Sequence, residues 1–69
     1  MPFNYAKLEG KIKEVCGSQR EFASMMGLSE RTISLKLGNK IAFTQNDITK
    51  ILSILHLSED DIPKYFFAI

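Results

Sequence analysis

The 69-residue chain has no tryptophan, one cysteine, two prolines and four glycines, and its net charge is only +1. A single cysteine, Cys16, excludes an intrachain disulfide and points to a reducing, cytoplasmic setting. No run of 18 apolar residues occurs, so no membrane span is expected. The N-terminal MPFNYAKLEG lacks the charged-then-apolar layout of a signal peptide. With Cys16 and His56 each alone of its kind, neither a metal cage nor a nucleophile–base pair can be assembled. The expectation is therefore a protein without metal, cofactor or small-molecule substrate, and not an enzyme. No tract of low complexity appears, and 45% hydrophobic with 25% charged residues suits one small globular domain over 1–69.

A net charge of +1 is weak for a nucleic-acid binder, but its distribution is uneven. Residues 1–50 hold eight Lys/Arg against five Asp/Glu, or +3, whereas residues 51–69 hold Lys64 against Glu59, Asp60 and Asp61, or −2. An anion-binding face would lie in the first fifty residues, with the acidic end turned away.

Five helical segments are predicted, giving an all-α chain. The first runs from about Asn4 to Cys16, with Tyr5, Leu8, Ile12 and Val15 on one face and Gly17 as its stop. Gly10 inside it costs about 1 kcal/mol relative to alanine and suggests a close helix contact. Ser18 opens the second segment, about 19–26, as a capping box with Glu21. Ser29, Thr44 and Ser58 open the third (about 30–37), fourth and fifth. Each sits inside a hydrophobic staple: Leu28 with Ile33, Phe43 with Ile48, Leu57 with Ile62. The fourth, roughly Gln45 to His56, is expected to bury Ile48, Ile51, Leu52 and Leu55 and to expose Gln45, Asp47 and Lys50. Pro63 makes the fifth short or distorted.

The stretch from Ser18 to Leu37 carries the most information. Two helices crossing sharply need a turn residue free to adopt positive φ and little bulk where they touch. Gly27 supplies the first and Ala23 the second, and Phe22, Met26, Leu28 and Ile33 fall where the inner faces meet. This is a helix-turn-helix pattern, and DNA reading is the leading expectation. Ile33 to Phe43 also alternates like a hairpin around Gly38-Asn39. The Ser29 cap, the Leu28–Ile33 staple and the Gly27 spacing favour a helix through Leu37, stopped at Gly38 or Asn39.

With Gln19, Ala23, Gly27, Ser29, Ile33 and Leu37 in place, the chain resembles the phage repressor and Cro class of helix-turn-helix proteins, also called XRE-like. It is most similar there to small Cro-like regulators of phages and prophages of Gram-positive bacteria. The resemblance covers about Tyr5 to Phe66. It implies a compact five-helix lambda-repressor-like domain that binds double-stranded operator DNA as a homodimer and represses transcription. In that class the third helix enters the major groove. Carried onto this chain, the base-reading positions are Ser29, Glu30, Arg31, Ser34 and Leu35. Arg31 suits guanine O6 and N7, Glu30 suits cytosine N4, and Leu35 suits a thymine methyl. The phosphate-contacting positions are Ser18, Gln19, Lys36, Asn39 and Lys40, with the second helix's N-terminal N–H groups suited to an anion.

One departure stands out. The class places a large apolar residue three positions after the isoleucine matched by Ile33, and here that position is Lys36. The third helix is then expected to rotate so that Leu37 takes the core role. Leu35 falls between core and DNA, and Lys36 reaches phosphate with its stem across the core. Elsewhere Cys16 reads as a small buried residue and His56 as a favourable charge at a helix C-terminus. Met25 and Met26 read as gap-fillers. The YFFAI tail either folds over the core or forms a shared apolar surface. The alternative function is a helix-turn-helix module used for protein interaction, as an antitoxin or anti-repressor partner, and the weak charge and Leu35 favour that alternative.

Overall fold

A computed structural model describes residues 3–68; of the YFFAI tail, Ile69 lies outside the described residues. The described residues form five helices: α1 (Ala6–Cys16), α2 (Gln19–Met26), α3 (Glu30–Leu37), α4 (Gln45–Leu55) and α5 (Ile62–Phe66). A 3₁₀ turn over Glu59–Asp61 precedes α5. The described residues include no strand, so the hairpin over 33–43 does not form.

Capping accounts for the starts. Ser18 Oγ accepts from the Glu21 N–H, Ser29 Oγ from Thr32 N–H, and Thr44 Oγ1 from Asp47 N–H, each at 3.1 Å. Each bond satisfies one of the four donors that a helix N-terminus leaves unpaired. Only Thr44 completes a reciprocal box in an α-helix, its own N–H donating to Asp47 Oδ2. The Ser18 box is half made, because no return bond from Glu21 forms. Ser58 boxes with Asp61 around the 3₁₀ turn. Pro63 falls in the first turn of the five-residue α5, where its missing N–H costs no helical bond.

Positive φ occurs where turns require it. Gly27 is left-handed at φ 71°, and its N–H donates to Ser24 O while Leu28 N–H donates to Ala23 O. These bonds close α2 and turn the chain into α3. Past α3 the left-handed residue is Asn39 (φ 64°), not Gly38. His56 (φ 57°) ends α4 as its C-cap.

Leu8 and Ile12 of α1, Phe22, Ala23 and Met26 of α2, Ile33 of α3, Ile51 and Leu55 of α4, Phe66 of α5 and Tyr5 form one core. Each large apolar side chain so buried contributes about 1.5–3 kcal/mol. The staple partners Leu28, Phe43, Ile48, Leu57 and Ile62 pack around it. Four expectations need correction. Val15 is exposed, at the edge of the α1 stripe set by Leu8 and Ile12. Met25 is half exposed and meets Cys16, whose Sγ lies 3.7 Å from the Met25 sulfur. Gly10 makes no close contact: a Cβ there would meet nothing within 4 Å. Asp47 is held inward by an ion pair, described below. Lys50 Nζ donates to Met26 O at 3.2 Å, tying α4 to the C-terminal end of α2.

Candidate functional site

The α2–turn–α3 unit presents Ser29, Glu30, Arg31 and Ser34 on its outer, exposed side. Ser29 is occupied as the α3 cap, and its hydroxyl also pairs with Thr32 Oγ1 at 2.8 Å. Leu35 is half-buried yet lies outside the core and its surrounding shell. Its carbonyl accepts from Lys40 and Ile41 N–H, which folds the following loop back against α3. Ser18 is occupied by its cap bond. Gln19 is half-buried beside Glu9, Ile12, Lys13 and Leu37. Lys40 is exposed.

Two of the residues expected to contact phosphate are engaged within the protein, Lys36 in the core and Asn39 at the surface. Lys36 is only 6% exposed. Its Nζ donates to Asp47 Oδ2 at 2.8 Å and to Ala42 O at 3.1 Å, and lies 5.9 Å from the centre of the Phe43 ring. The departure from the class pattern thus has a physical reason. A lysine holds the core position because α4 brings a carboxylate to meet it, so Lys36 cannot reach out to a phosphate. Leu37 packs beside the core without replacing it. Burial pushes the Asp47 carboxyl up. The hydrogen bonds from Lys36 and Thr44, with the Lys36 charge, outweigh that and leave it below the usual aspartate range.

Asn39 is the second. Its Nδ2 donates to Phe3 O at 2.8 Å and its Oδ1 accepts from Phe3 N–H at 3.0 Å. The amide mimics a backbone strand and clamps the N-terminal segment to the loop after α3, which engages its oxygen and one of its two amide N–H groups. Next to this clamp, Asn4 N–H donates to Ala68 O at 2.6 Å, which joins the N-terminal segment to the C-terminal one.

Together these segments enclose a cleft of about 420 Å³ lined by Phe3, Tyr5, Asn39, Ile41, Ala42, Phe43, Ile48, Phe66 and Phe67. Its aromatic rings are in mutual contact. Centroids are 5.5 Å apart for Phe3–Phe67, 5.2 Å for Tyr5–Phe43 and 5.5 Å for Phe43–Phe66, all edge to face. At its rim Ile41 is 42% and Phe67 50% exposed. Burial raises the Tyr5 hydroxyl above its usual range, so it is neutral at physiological pH. Such a cleft can take an apolar side chain of another molecule between rigid rings. The sequence signals were the dense YFFAI tail and Phe3. The tail both folds over the core, through Phe66, and leaves Phe67 in the open.

Comparison with known proteins matches residues 1–69 to the family described as "Protein of unknown function (DUF739)". No curated protein matches the sequence. Among solved structures, the chain is similar to the modulator of repression (MOR) of the temperate bacteriophage TP901-1 from Lactococcus lactis, a solution structure. Identity is 52%, the match covers 97% of this chain and 90% of that one, and the TM-score is 0.85. This finding overturns the expectation of an operator-binding repressor with double-stranded DNA as its partner. The similar protein is a modulator of repression, and it favours the protein-interaction alternative. The homodimer expected for a two-fold operator loses its basis with it. The burial of Lys36 and the clamp on Asn39 fit that correction.

Proposed function

The chain belongs to the DUF739 family, and we propose that it modulates repression by binding a phage repressor protein. The 52% identity with the TP901-1 modulator over nearly the whole chain carries this reading. Physical features of the surface support it. One of the eight cations in residues 1–50, Lys36, is neutralised internally, which weakens any grip on phosphate. The aromatic cleft is lined mainly by apolar side chains, and protein interfaces are anchored by such rings and the pockets between them.

In this reading an apolar side chain of the repressor enters between Phe43 and Phe67, with Ile41 and Phe67 as the rim that excludes water. The exposed α3 residues Glu30 and Arg31 supply polar contacts. The setting is the cytoplasm of a phage-carrying bacterium, and neither cofactor nor catalysis is involved.

Calorimetry of the chain with the repressor from the same genome tests the proposal. Binding is expected, and Ile41→Ser and Phe67→Ala each weaken it by about 2 kcal/mol, or roughly 30-fold. Absence of binding by the unaltered chain refutes it.

A further inference from the structure

A second surface, a shallow and open groove between α1 and α5, shares no lining residue with the aromatic cleft. Lys7, Gly10, Lys11 and Glu14 face it from α1, and Lys64 and Tyr65 from α5. Lys7, Gly10, Lys11 and Glu14 follow one another at helical spacing and share one face. Lys11 Nζ meets Glu14 Oε2 at 3.4 Å. Lys7 and Lys64 have no carboxylate within 4 Å among the described residues. Lys64 Nζ lies 5.5 Å from the centre of the Tyr65 ring. Asp61, one turn before Lys64, is held by Ser58, while Glu59 and Asp60 are exposed on the 3₁₀ turn.

Gly10 is the residue the fold leaves unexplained. It sits inside α1, its φ is not left-handed, and a Cβ on it would touch nothing within 4 Å. Neither backbone conformation nor internal packing therefore requires glycine, although glycine weakens a helix interior. Its consequence is external: the α1 backbone is bare between two lysines, where another chain can approach closely.

We infer that this groove receives a carboxylate-bearing segment of the protein partner, laid across Gly10 between Lys7, Lys11 and Lys64. The inference rests on the proposed binding of a repressor and adds a second, electrostatic contact to it. Charge complementarity selects the occupant, since three lysines face one glutamate that is already paired.

Gly10→Ala, Gly10→Leu and Lys7→Glu, each in the full chain, test the groove by thermal melting and by calorimetry with the repressor at several salt concentrations. Gly10→Ala is expected to raise the melting temperature by about 4–8 °C while weakening repressor binding about tenfold. Gly10→Leu weakens binding further, and Lys7→Glu weakens it and flattens its salt dependence. Repressor binding unchanged in Gly10→Leu and Lys7→Glu overturns the groove and leaves the proposed function standing. No binding by the unaltered chain overturns both. A random DNA duplex that binds the unaltered chain at physiological salt, and loses that binding in Lys7→Glu, assigns the groove to nucleic acid and also overturns the inference.

Discussion

Lys36 Nζ and Asp47 Oδ2 lie 2.8 Å apart between α3 and the first turn of α4, with the two side chains 8% and 17% exposed. The same carboxylate oxygen accepts from the Thr44 N–H, so one atom caps α4 and neutralises a buried ammonium. The two partners are not equivalent. Asp47→Ala strands Lys36 beneath Phe43 and removes a cap, and should destabilise the domain by about 3–5 kcal/mol. Lys36→Met keeps the volume and leaves Asp47 bonded to Thr44, and should cost less than half of that. Urea denaturation of both variants checks the order.

The pair also gives the domain an acid limb. The Asp47 carboxyl is held below its ordinary range, so its contribution is complete above the unfolded aspartate value of about 4. It is lost as pH falls through the lower, folded value. Stability measured from pH 6 down to pH 2 should drop below about pH 4, and Asp47→Asn should flatten that drop. An acid limb identical in Asp47→Asn assigns the effect to other carboxylates.

Gly27 tests the turn. Its φ of 71° suits glycine, while the space around it is open, so only backbone strain opposes a side chain. Gly27→Val should lower stability by more than about 1 kcal/mol. A melting temperature equal to that of the unaltered chain contradicts this.

Asn39 holds Phe3 through two hydrogen bonds and does so from a left-handed backbone. Asn39→Ala removes both bonds and adds strain, and should cost about 2 kcal/mol. Because Phe3 packs edge to face on Phe67, the cleft should loosen as well. Broadened or shifted ring resonances of Phe3 and Phe67 in this variant are the readout.

Local chemistry made much of the helical frame legible. The Ser29 and Thr44 caps, the staples and the positive φ of Gly27 each depend on residues within five positions of one another. The site was harder to read because its decisive contacts are long-range. A lysine at a core position looks like a surface lysine until α4 delivers Asp47 from 11 residues away. The clamp between Asn39 and Phe3 spans 36 residues, beyond any local pattern. The aromatic content of the tail was visible, but not that Phe3 and Phe43 join it. The pattern over Ser18 to Leu37 located α2, the Gly27 turn and α3 but not the partner, since one scaffold can present its third helix and following loop to DNA or to protein.

In the proposed function this chain acts on a repressor and not on DNA. The direct measurement is fluorescence anisotropy of a labelled operator duplex titrated with the repressor, with the chain alone, and with both. The chain alone should leave the duplex unbound at physiological salt. With both present, the repressor's apparent affinity for the operator should shift by about tenfold or more, and Phe67→Ala should restore the original midpoint. Operator binding by the chain alone, with a steep negative dependence on salt and no effect on the repressor, would overturn the proposed function.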